Sequence, residues 1–190
     1  MLFYNDKIDL HAYDPYERLR PLPSFSLEST DFTHNGPLAP AQYGSGAGGS
    51  DISPQLSWSD FPEDTVSFAV TCYDPDAPTG SGWWHWAVFN IPASVTSLEA
   101  GAGNLNKNLL PNGAITLKNT SGKRGFNGAG APEGTGVHRY IFAVHSLPKM
   151  LDLGPDTDIP ILGFNLNFQA TGRALLTGTA YYGGVADAED

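Results

Sequence analysis

The chain has 190 residues and a net charge of −10, with 41% hydrophobic residues, 16% charged residues, 22 glycines and 15 prolines. This length predicts one domain that buries its own core, and the turn-forming composition favours a β protein over a helical bundle. No lysine or arginine lies between Arg20 and Lys107, whereas nine acids do, so the sequence excludes nucleic acid and anionic lipid surfaces as expected partners.

The first segment, residues 1–21, predicts an N-terminal arm that lies on the domain or on a neighbouring subunit, so a homodimer is an open alternative. Asp14 and Pro15 suit the start of a short helix within it. Its first fourteen residues lack the basic and apolar regions of a secretory signal, and no apolar run approaches the ~18 residues of a membrane span. We expect a cytoplasmic location and no integral membrane association.

Short strands are predicted next. Residues 24–29 alternate, with Phe25 and Leu27 facing inward, and another strand begins within residues 53–58. The glycine-rich residues 44–49 lack the Gly-Lys-Ser/Thr ending of a nucleotide-binding loop, so they predict a connection.

The central stretch, residues 66–90, places polar groups beside buried strands. Residues 66–71 predict a strand that leads into the segment Asp-Pro-Asp-Ala-Pro at 74–78, and a second strand from residue 83 carries His85. Two acids and a histidine at the rim of core strands are typical of a binding site. The alternative is a strand-ending turn beside a core histidine, since Asp and Pro are ordinary turn formers. Cys72, the single cysteine, lies within the strand region and predicts a buried thiol.

A second polar region follows the short predicted strand at 114–117. Glycine-rich residues 127–136 could curl into a nest of backbone N–H groups that binds an anion, or could form a mobile surface loop. Residues 138–145 predict a core strand with His138 and His145 on opposite faces. His138 adjoins the glycine loop and is the better site candidate, whereas His145 is interpreted as structural.

The C-terminal part predicts one amphipathic helix and one strand. Phe164, Phe168 and Leu175 recur at helical spacing over residues 161–176, Gly178 would end the helix, and residues 179–182 would form the last strand. Residues 183–190 predict a disordered acidic tail.

These motifs, in this order, resemble the phosphatidylethanolamine-binding protein family, also called Raf-kinase-inhibitor-like proteins. The resemblance rests on Asp-Pro-Asp-Ala-Pro at 74–78, on His85 and on Gly-Val-His-Arg-Tyr at 136–140, and it covers residues 22–182. The short linker from Pro78 to His85 is similar to that of the bacterial and archaeal branch. The resemblance implies a mainly β, antiparallel Greek-key β-sandwich with a few short peripheral helices.

The resemblance also implies a small pocket that binds an anion such as phosphate, acetate or a phospholipid headgroup, without a catalytic residue, metal or cofactor. Its ligand-binding residues would be Asp74, Asp76, His85 and His138, with the backbone of Gly128, Ala129, Gly130 and Ala131. The resemblance further implies a cis peptide bond before Pro78. A carboxylate behind each histidine would favour a protonated ring, so a phosphodiester should bind more tightly at pH 6 than at pH 8. One acid could instead meet the ammonium group of an ethanolamine zwitterion.

Three alternatives remain open. Two histidines and two aspartates could hold a transition metal, although no short His-containing metal motif is present. A hydrolase without metal is the second, although no activated nucleophile is evident. The third is a module that inhibits a protein kinase or protease through the pocket rim, with Trp83, Trp84 and Trp86 as anchors. The longer linker of eukaryotic relatives is absent, so kinase inhibition does not follow from the resemblance.

Overall fold

The computed structural model describes residues 13–185. Within these residues the chain forms nine β-strands and one α-helix, joined by loops that contain three single turns of 3₁₀-helix. In chain order the strands are β1 (Ser26–Glu28), β2 (Gly36–Pro37), β3 (Leu56–Ser59), β4 (Ser67–Asp74), β5 (Trp83–Pro92), β6 (Ser97–Leu98), β7 (Ile115–Thr116), β8 (His138–Leu147) and β9 (Gly172–Ala180), and helix α1 (Ile159–Gln169) lies between β8 and β9.

The strands form two sheets that pack as a sandwich. One sheet has the order β1-β3-β6, and the other has the order β2-β9-β8-β4-β5-β7. All pairs are antiparallel except β2 with β9, and β8 lies between β9 and β4, so strands distant in sequence are neighbours. The prediction of a mainly β, Greek-key sandwich is confirmed.

The core lies between the two sheets. Trp58 of the smaller sheet meets Phe68 of β4 edge to face, with ring centroids 5.3 Å apart. Along β8, alternation places Tyr140, Phe142 and Val144 in this core. The strand that was predicted over residues 66–71 continues to Asp74, because both faces of β4 are covered and its pairing with β8 extends to Tyr73.

Two irregularities in β5 change which side chains face inward. Near Phe68 and Val70 of β4 the register shifts, and Asn90 adopts a φ of 60°. The Asn90 side chain both donates to Leu151 O and accepts from Leu151 N, which ties β5 to the segment after β8. At the other end Cys72 pairs with Trp86 whereas Tyr73 pairs with Trp84, so His85 is an extra residue in a β-bulge.

Helix α1 differs from its prediction in extent and in buried face. It spans Ile159–Gln169, and its buried residues are Ile159, Leu162 and Leu166, whereas Phe164 and Phe168 are 64% and 63% exposed. Leu175 belongs to β9, which begins at Gly172 and replaces the strand predicted at 179–182. The aliphatic residues at i, i+3 and i+7 therefore set the buried stripe, and the two phenylalanines lie outside it.

The described part of the predicted arm, residues 13–21, lies on the domain. Asp14 initiates a turn rather than a helix, with its Oδ1 accepting from Tyr16 N at 2.8 Å. The Arg20 side chain donates to Asn167 O and Ala170 O at the end of α1. Residues 1–12 and 186–190, which hold the rest of the arm and most of the predicted tail, lie outside the described residues. No helix between residues 13 and 185 is long and apolar enough to cross a bilayer.

Candidate functional site

A cavity of about 310 Å³ lies where the ends of β4, β5 and β8 meet the glycine loop. The inner face of the larger sheet extends there past the aromatic core, and the loop after residue 126 closes over it. The lining residues are Asp74, Ala77, Pro78, Thr79, Trp83, His85, Asn127, Gly128, Gly130, Pro132, His138 and Tyr140. The structure therefore brings His85 and His138 into one cavity, as the sequence hypothesis requires.

Asp74 and His138 form the deepest pair of this cavity. Asp74 is the last residue of β4 and His138 the first of β8, and His138 Nδ1 lies 2.7 Å from Asp74 Oδ2 with both side chains buried. The other carboxylate oxygen of Asp74 accepts from Asp76 N at 2.8 Å and Ala77 N at 3.0 Å, so the acid also shapes the turn that follows β4. The carboxylate thus orients the imidazole ring and leaves the opposite edge for another partner.

That partner is Thr135, which the sequence hypothesis missed. His138 Nε2 lies 2.8 Å from Thr135 Oγ1, and the Thr135 hydroxyl donates to Pro132 O at 2.6 Å. Because the hydroxyl has one hydrogen and the carbonyl takes it, Nε2 must be the donor to Oγ1. The ring of His138 is thus held at both nitrogens, with Nδ1 facing the Asp74 carboxylate and Nε2 facing the Thr135 hydroxyl. A threonine three residues before the site histidine was the available signal.

His85 reaches the cavity because of the β5 bulge. In a regular strand His85 and Trp86 would point to opposite faces of the sheet. The bulge breaks this alternation, and both side chains are buried. His85 Nδ1 lies 2.7 Å from Asn127 O and therefore carries the hydrogen, and its ring meets the Tyr140 ring at 4.9 Å. Burial lowers the pKa of His85 below its ordinary value of 6.5, which favours the neutral ring. With the hydrogen on Nδ1, neutral His85 presents Nε2 as a hydrogen-bond acceptor.

The structure places Asp76 outside the cavity. Its carboxylate forms a bidentate pair with Arg139, with Asp76 Oδ2 2.8 Å from Nε and Oδ1 2.8 Å from Nη2. Asp76 Oδ2 also accepts from Arg139 N at 2.9 Å. The hydrogen bonds that Arg139 donates to the Asp76 carboxylate raise the pKa of Arg139, so this pair is charged and neutralised internally. The adjacent acids of the motif therefore have different partners, one in the cavity and one at its outer edge.

The glycine loop forms a wall rather than the predicted nest of N–H groups. Gly128 N donates to Asp51 Oδ1, Ala129 N donates to Gln42 O, and Gly130 N donates to Tyr140 Oη. These three amides are thus engaged within the protein and do not converge on a ligand position.

Glycine is required at position 128, because an added Cβ would collide with the backbone of Tyr43 and Gly44. Ala129 and Ala131 line a neighbouring cavity of about 600 Å³, on the side of the wall where Tyr181 and Tyr182 lie, and are absent from the first cavity.

The peptide bond between Ala77 and Pro78 is trans, so the predicted cis bond is wrong. The chain reverses through the two amides that bind Asp74 Oδ1 and through a bond from Thr79 N to Ala77 O at 2.7 Å. These turns accommodate the trans isomer, which an X–Pro bond intrinsically favours by about 0.5–1 kcal/mol.

The tryptophans and the remaining polar candidates have separate positions. Trp83 lines the cavity, Trp84 packs against Tyr73 with ring centroids 4.3 Å apart, and Trp86 is fully buried. Cys72 is buried, and burial raises the pKa of its thiol. Among residues 13–185 no group of three histidine, cysteine, aspartate or glutamate side chains could hold a metal ion.

His145 lies on the face of β8 opposite to His138, as alternation predicts. Its Nε2 accepts from Arg173 Nε at 2.9 Å, and the ring is 3% exposed. Trp83, Asn127, Pro132 and Tyr140 line the site although the sequence hypothesis did not include them. Tyr140 alternates with His138 on β8, which was a readable signal, whereas the position of Asn127 depends on how the loop folds back.

Comparison with known proteins gives a family match over most of the chain. The family model described as phosphatidylethanolamine-binding protein matches residues 28–182. The UPF0098 protein YbhB of Escherichia coli (strain K12) is 45% identical over 135 residues, which are 70% of this chain and 84% of that protein. The UPF0098 protein YbcL of the same organism is 42% identical over 157 residues, 81% of this chain and 86% of that protein.

A solved structure agrees with these relatives. The crystal structure of E. coli YbcL, described as a new member of the mammalian PEBP family, superposes with a TM-score of 0.79 at 41% identity. The match covers 83% of this chain and 98% of that chain.

Proposed function

Because this chain belongs to the phosphatidylethanolamine-binding protein family, we propose that its cavity binds the zwitterionic phosphoethanolamine headgroup. The observation that carries the proposal is the opposite polarity of the two imidazoles. His138 offers an N–H donor at Nε2, and His85 offers an acceptor at Nε2. A ligand with an anionic acceptor at one end and an ammonium donor at the other complements both rings.

The charge of the cavity also favours a zwitterion over a simple anion. Asp74 and His138 are hydrogen-bonded to each other, burial favours neutral His85, and no lysine or arginine is among the described residues that line the cavity. A phosphate dianion would therefore be desolvated with one donating imidazole and no unpaired cation. In the proposed complex a phosphate oxygen accepts from His138 Nε2, and the ammonium group donates to His85 Nε2 near the Trp83 and Tyr140 rings.

Calorimetric titration with phosphoethanolamine tests the proposal. We expect a dissociation constant in the micromolar to millimolar range for the wild type. His85→Phe keeps an aromatic ring and removes the acceptor, so its affinity should fall by about 10- to 150-fold, the equivalent of one hydrogen bond to a charged group. His34→Gln changes an exposed histidine away from the cavity and should leave binding unchanged. Equal binding by all three proteins would reject the cavity assignment.

The pH dependence reports which end of the ligand meets His85. An ammonium donor needs neutral His85, so the affinity for glycerophosphoethanolamine, whose phosphodiester does not titrate in this range, should stay level from pH 8 to pH 6.5 and fall only at lower pH, where His85 takes up a proton. This profile replaces the expectation of tighter binding at pH 6 than at pH 8, because burial keeps His85 neutral. Tighter binding at pH 6 would place the phosphate group at His85 instead.

Inhibition of a kinase or protease remains an alternative without a specific observation in its favour. Of the three tryptophans predicted to anchor a partner, Trp86 is fully buried and Trp84 is half-buried beside Tyr73. A homodimer and a cytoplasmic location likewise stay predictions.

A further inference from the structure

One peptide unit beside the cavity makes two side-chain hydrogen bonds. The carbonyl of the Asn127–Gly128 peptide accepts from His85 Nδ1 at 2.7 Å. The N–H of the same peptide donates to Asp51 Oδ1 at 2.8 Å. A carboxylate on the N–H side polarises the amide, and the polarised carbonyl is a stronger acceptor for the imidazole. The three groups form a continuous hydrogen-bonded chain from a charged acid to the cavity.

Asp51 is fixed in place for this contact. Its backbone has a φ of 53°, a conformation that is uncommon for a residue other than glycine, and its N–H donates to Tyr43 O at 2.9 Å. Its second carboxylate oxygen accepts from Ser45 N at 2.9 Å. Although burial disfavours the charged form, hydrogen bonds from Ser45 and Gly128 keep the pKa of Asp51 below its ordinary value. Asp51 is therefore a fixed anion that contacts the glycine loop without lining the cavity.

The other charged or titratable groups around His85 have different roles. Asp74 on β4 faces the ring, but its oxygens accept from His138 and from the turn amides. His138 and Tyr140 approach from β8, and Tyr140 contributes ring contact. Of the carboxylates in residues 13–185, Asp51 is the one that the hydrogen bonds above link to His85 Nδ1.

We propose that Asp51 is a positioning residue that holds His85 in its Nδ1–H tautomer through the Asn127–Gly128 peptide. The tautomer leaves the Nε2 lone pair directed at the ligand position, so Asp51 sets the polarity of one half of the cavity without touching a ligand. The effect on the imidazole is independent of any ligand, whereas its consequence for headgroup binding rests on the proposed function.

The test is nitrogen NMR of the histidine rings in the ligand-free protein, followed across pH. Asp51→Asn retains an amide oxygen that can accept from Gly128 N and removes the charge. We expect the pKa of His85 to fall, because the imidazolium loses a linked anion, and the Nε2–H tautomer to become populated. The His138 signals should move less. Asp31→Asn is the matched control, since the Asp31 carboxylate also accepts a backbone N–H, from Gln55 at 2.7 Å, in a different loop.

Titration with phosphoethanolamine is the second readout. Affinity should fall by about tenfold in Asp51→Asn, the lower end of the usual effect of an outer hydrogen-bond partner, and should not change in Asp31→Asn. An unchanged His85 tautomer and pKa in Asp51→Asn would overturn the positioning role, whatever the ligand does. If Asp51→Asn changes the His85 tautomer but the wild type does not bind phosphoethanolamine, the positioning role of Asp51 is supported and the headgroup proposal is rejected.

Discussion

At the scale of single residues, Thr135 competes for the atom that the ligand needs. Its hydroxyl oxygen accepts from His138 Nε2 at 2.8 Å, so a phosphate oxygen that binds there must displace it. Thr135→Val removes the hydroxyl and leaves the buried donor without a partner until the ligand arrives. We expect phosphoethanolamine to bind about 2- to 10-fold more tightly, the equivalent of one hydrogen bond of typical net strength.

Calorimetry on Thr135→Val and on Thr157→Val gives the comparison. Thr157 lies in the loop before α1 and away from the cavity lining, so its variant should bind like the wild type. Weaker binding by Thr135→Val would mean that the hydroxyl positions the loop for the ligand rather than competing with it.

His145 links stability to pH. Burial, and secondarily the Arg173 charge, lower its pKa from 6.5 to about 3. The unfolded chain therefore takes up this proton first as pH falls, so the stability due to neutral His145 is complete above about pH 6.5 and is lost toward pH 3. From pH 7 to pH 4.5 the loss should be on the order of 2–3 kcal/mol of unfolding free energy.

Denaturant unfolding at these two pH values measures the loss. His145→Gln provides an acceptor for Arg173 without a titrating ring, so its stability should change less between the two pH values, whatever its absolute stability. His34→Gln, at an exposed site, should keep the wild-type difference. Equal pH dependence in wild type and His145→Gln would show that His145 is protonated in the folded state.

At the scale of elements, helix α1 shows that a large hydrophobic side chain is not always a buried one. Leu162 is fully buried against the outer face of the large sheet, whereas Phe164 is 64% exposed. Leu162→Ala should reduce the free energy of unfolding by about 2–5 kcal/mol, because it leaves a cavity between helix and sheet. Phe164→Ala should cost less than about 1.5 kcal/mol, since it loses its ring contact with Phe168 and little burial. Denaturant midpoints of the two variants decide the point, and a larger effect at Phe164 would contradict the assigned helix phase.

The elements also show what the sequence could predict. Alternation along β8 correctly places His138 and His145 on opposite faces, because side-chain direction in a regular strand depends only on position. The same rule does not predict the bulge at His85, because the position of an extra residue is set by how β5 pairs with β4. The phase of α1 was wrong because aromatic and aliphatic residues carry similar hydrophobicity, and packing on the sheet selects between them.

The candidate site likewise contains features that could be predicted from the sequence and features that could not. The family resemblance implied that Asp74 and His138 share one pocket, and the structure joins them by a 2.7 Å contact. The separate partner of Asp76 was not predictable, because the motif alone does not say that Arg139 lies beside it. The glycine loop was predicted from composition, but composition does not reveal that Asp51 and Gln42 accept its amides.

At the scale of the whole molecule, the net charge of −10 acts on every ligand that approaches the cavity. The field of the protein repels an anion and leaves a neutral zwitterion nearly unaffected, and salt screens the repulsion over a Debye length of about 10 Å at 0.1 M. Raising the NaCl concentration from about 0.01 M to 0.3 M should therefore strengthen the binding of inorganic phosphate by about 2- to 5-fold.

Glycerophosphoethanolamine is the matched ligand, because its phosphodiester and ammonium charges cancel. Its affinity should exceed that of inorganic phosphate at low salt and should change little as salt is added. Competition by chloride for a cationic site would weaken both ligands together, and that result would contradict a cavity that is lined by no unpaired lysine or arginine among the described residues. If the affinity for glycerophosphoethanolamine stays constant while the affinity for inorganic phosphate rises with salt, the selectivity for the zwitterion comes from the two imidazoles. These are the groups in the cavity with opposite hydrogen-bonding polarity.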